Sequence, residues 1–177
     1  SFDAEFHWDP SPGPALGAAF PLTEDIVWSL ADRTGDGFRL SPTGDMLYCI
    51  RHLAARHSFS RLKWFLDIKN MTIALEDHID WPLLERLLER TGLVRAAGAV
   101  FDFLSEFLPS GAPSPSCIRR PRRVERILYR TLIVDSLTGG GLKKTGAIAG
   151  TVSDRRAAYF LRWIYPGRRF LAMRYPG

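Results

Sequence analysis

From Ser41 to Leu108 the apolar residues recur every three or four positions in four successive segments, and each segment is bounded by capping or breaking residues. That pattern constrains the fold more than any other feature, because apolar stripes of helical period can be buried only against one another. Ser41-Pro42-Thr43-Gly44-Asp45 reads as a helix start, with Ser41 as cap and Pro42 at the first helical position, and Leu47, Ile50, Leu53 and Ala54 form its stripe. Ser58 or Ser60 is the expected cap of a second helix carrying Leu62, Phe65, Leu66 and Ile68. Asp80-Trp81-Pro82 opens a third, with Leu83, Leu84, Leu87 and Leu88 as its apolar positions and Gly92 as its carboxyl cap. A fourth is expected over residues 93–108, stopped by Pro109.

The flanks differ from this centre. Phe2, Ala4, Phe6 and Trp8 alternate with Asp3, Glu5, His7 and Asp9, the period-two pattern of a half-buried strand, and the proline-rich stretch from Pro10 to Pro14 ends it. A short apolar segment at Ile26–Leu30 and a Gly-rich turn over Thr34–Gly37 lead to the first helix. Residues 109–117 read as a loop. Beyond them a basic helix is expected over residues 121–137, a break at Gly139-Gly140-Gly141, and a last helix over residues 153–164. The expected class is α+β, predominantly helical: an amino-terminal strand followed by a helical bundle. Its parts are residues 1–40, a helical domain over 41–108, a linker over 109–120, and basic carboxyl-terminal helices over 121–177.

Composition narrows function only coarsely. The net charge of +5 favours contact with anions, whether nucleotide, nucleic acid or acidic lipid, without choosing among them. Cys49 and Cys117 stand 68 positions apart, too few and too far apart for a disulfide framework or a metal cluster, so reduced thiols in a cytoplasmic protein are expected. No apolar run reaches the ~20 residues of a membrane span, and the first residues do not have the basic and apolar pattern of a signal peptide. A chain that opens on Ser1 in mid-strand reads as truncated upstream.

Four constellations could carry chemistry. On the polar face of the first strand, Asp3 and Glu5 lie about 7 Å apart, a spacing from which two carboxylates can share divalent cations; a plain solvent-facing strand surface is the alternative. Along the second helix, Ser60, Arg61, Trp64 and Asp67 follow His57 on one side if that helix is continuous. His52 and His57, five apart, are poorly spaced as metal ligands, and a buried histidine satisfied by a nearby Asp, with Trp64 packed in the core, is the competing reading. Gly139–Thr145 lacks the glycine that a phosphate loop places before Lys-Thr and reads as a flexible loop. The arginines from Arg119 to Arg130 read as a solvated helix face rather than a base-stacking platform.

The order of these pieces is more specific than any one of them. Glu5-Phe6-His7-Trp8, then the helical pattern Asp45, Leu47, His52-Leu53, His57, Arg61-Leu62-Lys63-Trp64, Asp67-Ile68, then Asp80-Trp81 and Gly92-Leu93, and the ending from Tyr165-Pro166 to Met173-Arg174-Tyr175-Pro176 resemble the uncharacterised nucleotidyltransferase family of the polymerase-beta-like superfamily. The resemblance covers nearly the whole chain and is weakest over residues 110–152. It implies a Mg²⁺-dependent transfer of a nucleotidyl group from a nucleoside triphosphate to an unidentified acceptor. Glu5 matches the third metal-binding carboxylate, with Asp3 beside it. The family's Asp-x-Asp pair would lie upstream of this chain; Asp3-Ala4-Glu5 could itself be that pair, but His7-Trp8 argues against it. By the same resemblance His7, His52, His57, Arg61, Lys63 and Asp67 shape the nucleotide or acceptor pocket. The competing expectations are a non-catalytic helical module that binds a protein or peptide, and nucleic-acid binding through the basic helix.

Overall fold

The structure is a computed structural model that describes residues 14–35, 37–107, 118–139, 151–158 and 161. The strand expected over residues 2–8, the loop over 109–117, the Gly-rich segment beyond Gly139 and the tail after Leu161 lie outside them.

The described chain is predominantly helical with one small antiparallel sheet, an α+β architecture. Two short helices, α1 (Pro14–Ala19) and α2 (Glu24–Trp28), come first. The apolar segment around Ile26 is helical because Thr23 caps it, its side chain accepting from the Ile26 amide at 3.4 Å. The Gly-rich turn proves to be the tip of a hairpin, β1 (Ala31–Thr34) and β2 (Gly37–Leu40), paired from Ala31↔Leu40 to Thr34↔Gly37. Gly35 at its tip has φ +55°, the left-handed backbone that a two-residue hairpin loop requires. Alternation gives no warning of these strands, since most of their side chains on both faces are exposed. Trp28 at the end of α2 and Phe38 of β2 meet edge to face at 5.2 Å.

Helix α3 (Pro42–Arg51) begins where expected. Ser41 accepts from the Gly44 amide at 3.2 Å, and Pro42 occupies the first turn. It is the hub of the bundle and packs against α4 (Leu62–Ala74), α5 (Trp81–Arg90) and α6 (Val94–Phe107). Its Arg51 is 3% exposed, and its Nε donates to the Phe20 carbonyl at 3.1 Å.

The first and second helices are separate, as a new cap near Ser58 or Ser60 implies, but the link between them is not a simple loop. A π-helical turn, His52–Arg56, follows α3 and is closed by the His57 amide donating to the His52 carbonyl at 3.2 Å. Ser58 and Phe59 then take φ of +45° and +61°. The left-handed region costs a residue such as Phe about 1–2 kcal/mol. Full burial of the Phe59 ring, which is 0% exposed, offsets this, since a buried aromatic side chain contributes about 1.5–3 kcal/mol. Neither serine caps α4: Ser58 is buried in the turn, and Arg61 holds the cap position without a side-chain cap bond.

Helix α5 starts at Asp80, which accepts from the Leu83 amide at 2.9 Å. It ends in a Schellman closure around Gly92. The Leu93 amide bonds the Leu88 carbonyl at 2.8 Å and the Gly92 amide bonds Glu89 at 3.2 Å, with φ of +69° at Gly92. Helix α6 is buried from Ala96 to Phe101 and again at Phe103 and Leu104, which makes it the central rod of the core. Phe65, Phe103 and Phe107 continue in ring contact at 4.7 and 4.6 Å.

The basic segment forms α7 (Arg123–Leu137). Tyr129 and Ile133 enter the same core as the preceding helices, and Ser136 Oγ donates to the Ser58 carbonyl at 2.7 Å. Near the end of the described chain, Val152 is fully buried and Ser153 Oγ donates to the Ala19 carbonyl at 3.1 Å. The helix expected from Ser153 instead shows helical residues at 151–152 and 156–158, with Ser153 itself outside them.

Candidate functional site

Two half-buried stripes face each other on α3 and α4. Asp45, Tyr48 and Cys49 on α3 and His52 at the start of the π-turn recur at three- and four-residue steps; Trp64, Asp67 and Met71 do the same on α4. The helices run antiparallel, so His52 meets Trp64 at one end, with ring centroids 4.5 Å apart, and Cys49 meets Met71 toward the other, the thiol reaching the thioether sulfur at 3.8 Å. Tyr48 stacks on His52 at 5.5 Å.

The π-turn completes the cluster. In an α-helix, residues five apart point about 140° away from each other. The wider π register instead brings His57 back over His52, with centroids 4.7 Å apart and rings nearly perpendicular. His57 also stacks on Trp64 at 5.7 Å with an interplanar angle of 26°. The two histidines therefore meet through a turn and not along one helix face, as a continuous second helix would have it. Cations flank the rings: Lys63 Nζ lies 5.7 Å from the Trp64 centroid, and Arg56 and Arg61 are exposed on the turn.

Burial sets the electrostatics. Desolvation lowers the pKa of His57 below the usual imidazole value, and the charges of Arg61 and Arg56 add to the effect. At neutral pH its ring is uncharged and can donate one hydrogen bond and accept another. Asp45 moves the other way: burial raises its pKa, partly opposed by Arg39. Burial pushes the Cys49 thiol up to about 11, and the carboxylates of Asp45 and Asp67 reinforce the shift. A thiol so placed is neutral, which removes it as a nucleophile. Among the described residues, no group of three or more His, Cys, Asp or Glu side chains is placed to hold a metal ion.

Of the residues expected to form the site, His52 and His57 are in the cluster, Asp67 is near enough for its charge to raise the Cys49 pKa, and Arg61 and Lys63 are exposed. Asp3, Glu5 and His7 lie outside the described residues. Tyr48, Cys49 and Met71 were not expected there. The signal for Tyr48 and Cys49 was present as helical spacing before His52; the signal for Met71 was its distance of seven from Trp64.

The family model for the uncharacterised nucleotidyltransferases matches residues 2–109, more than half of the chain. The chain belongs to this family. No match emerges among curated proteins or among solved structures. The span shared with the family contains every ring of the cluster and closes just beyond α6, so the nucleotidyltransferase match excludes α7 although α7 fills part of the same core.

Proposed function

We propose that the ring cluster walls the nucleotide or acceptor pocket of an enzyme that transfers a nucleotidyl group from a nucleoside triphosphate to a hydroxyl-bearing acceptor. The observation that carries this reading is the convergence of Tyr48, His52, His57 and Trp64, from two helices and a π-turn, inside the region matched by the family. Flat rings edged by Arg56, Arg61 and Lys63 suit a ligand with a planar base and a phosphate chain.

In the reaction the acceptor oxygen bonds to the α-phosphorus, the bond to the bridging oxygen of the β-phosphate breaks, and pyrophosphate leaves. The hydroxyl proton passes to a base, for which neutral His57 is suited. Asp45 and Asp67 flank Cys49 without making a three-ligand set, so the described residues do not form a metal site by themselves. The metal assignment rests on Glu5 and Asp3, and Mg²⁺ held there would offset the charge of the triphosphate. The ion pairs that α7 makes with α6 engage Arg126 and Arg130, which favours a nucleotide ligand at the rings over nucleic acid along the basic helix.

Tryptophan fluorescence titrations with each nucleoside triphosphate, with and without Mg²⁺, test the reading. Quenching is expected, to be lost in Trp64→Leu and weakened in His57→Ala, with its Mg²⁺ dependence lost in Glu5→Ala. Binding by Trp64→Leu that equals the parent, or no response to any triphosphate, would remove the ring cluster from the pocket.

A further inference from the structure

One cavity shares no lining residue with the ring cluster. It encloses about 140 Å³ between α6 and the segment that leads into α7. Its floor is Gly98, Phe101 and Ile118, and its rim carries Arg119, Arg120 and Arg126. The arrangement is built into the backbone. A Cβ on Gly98 would stand 2.5 Å from the Arg119 carbonyl oxygen, so only glycine lets this segment close down on α6. Buried Ile118 and Pro121 pin the run from either end and leave the guanidinium groups at the surface.

Two of the three guanidinium groups are held in place. Arg126 Nε pairs with Asp102 at 2.9 Å, and Arg119 pairs with Glu125 at 2.9 Å. Glu125 also accepts from the Arg122 amide at 3.0 Å, so its charge is shared among several donors. Arg120 has no ion pair among the described residues and is exposed. Three lining arginines face two paired carboxylates, Asp102 and Glu125, so the rim keeps one net positive charge, carried by Arg120.

We propose that this cleft is a phosphate-binding site for a small ligand carrying a diphosphate or longer phosphate chain. Guanidinium groups match phosphate oxygens two at a time, and a site with two arginines already oriented loses little side-chain freedom on binding. The cavity is too small for a whole nucleotide in addition to its phosphates, so the recognised part is the phosphate chain, free as pyrophosphate or attached to a nucleoside. The inference does not depend on the ring cluster.

Calorimetric titration of the full chain with pyrophosphate, a Mg²⁺-free nucleoside triphosphate, inorganic phosphate and sulfate tests it. Pyrophosphate is expected to bind with Kd below about 1 mM at physiological salt, and sulfate far more weakly. Arg120→Glu, a surface change, should weaken pyrophosphate binding at least about tenfold. Gly98→Ala, which displaces the Arg119 backbone without altering charge, should weaken it too, while Trp64→Leu leaves it unchanged. In the Trp64→Leu background, equal affinity for pyrophosphate and the triphosphate identifies the phosphate chain alone as the ligand; tighter triphosphate binding there extends the site to the nucleoside. Absence of pyrophosphate heat, sulfate binding as tight as pyrophosphate, or full binding by Arg120→Glu would overturn the proposal. Loss of the signal in Trp64→Leu would reassign it to the ring cluster.

Discussion

Cys49 and His57 are half-buried groups in one cluster whose protonation follows from their surroundings. The Cys49 thiol, raised from 9.0 to about 11, should hold about 100-fold less thiolate at mildly alkaline pH than an ordinary cysteine. In a Cys117→Ser background its alkylation by iodoacetamide should be slower by about that factor than in the unfolded chain, and equal rates would mean that the site is open to water. For His57 the folded pKa lies below the unfolded value of 6.5, so the unfolded chain binds the proton more readily. Its contribution to stability is complete above 6.5 and is lost as pH falls through the lowered value. His57→Gln should therefore flatten the fall in urea midpoint between about pH 7.5 and about pH 5.5, and an unchanged slope would assign the acid sensitivity to other groups.

At the scale of elements, the turns do more than the helices to place the site. The π-turn and the left-handed pair Ser58-Phe59 swing His57 over His52 and Trp64. Ser136 on α7 holds that turn through the Ser58 carbonyl, so a helix outside the matched region braces the rings. Gly92 is the second such point. Its φ of +69° disfavours any side chain, and an added Cβ would meet the Ala19 carbonyl oxygen at 2.8 Å. Gly92→Ala should cost at least about 1–2 kcal/mol from the backbone alone, read as a lowered urea midpoint with an unchanged m-value. A neutral substitution would mean that the α5–α6 closure relaxes freely.

Across the whole molecule, the core does not respect the limit of the family match. Ile118, Tyr129, Ile133 and Val152 are 6%, 2%, 1% and 0% exposed and all join the cluster formed by α3 to α6. Each such burial contributes about 1.5–3 kcal/mol. Together the four rival the entire stability of a domain, about 5–15 kcal/mol. The ion pairs of Arg126 with Asp102 and Arg130 with Glu106 add orientation more than energy, since both arginines are near half exposed. A chain ended at residue 109 should therefore lose its cooperative thermal transition by circular dichroism. A transition at the parent temperature would show that the matched region folds alone.

The amino-acid sequence by itself determined what depends on neighbours along the chain. Ser41 with Pro42, Asp80 with Trp81-Pro82, and Gly92 after the Leu-rich stripe are local signals, and helices begin and end at them because caps satisfy amide and carbonyl groups within a few residues. The helical class and the family resemblance followed from such signals. The hairpin over 31–40 was not legible, because most of its side chains are exposed and leave no period-two pattern. The break before the second helix was legible in Ser58 and Ser60, but the π-turn and the left-handed Ser58-Phe59 pair were not, because only the burial of Phe59 makes that backbone favourable. The neutral thiol of Cys49 and the docking of α7 were decided by tertiary structure, since they arise from desolvation and from contact between residues on different elements, and the π-turn that pairs His52 with His57 is held by the buried Phe59 and by Ser136 of α7.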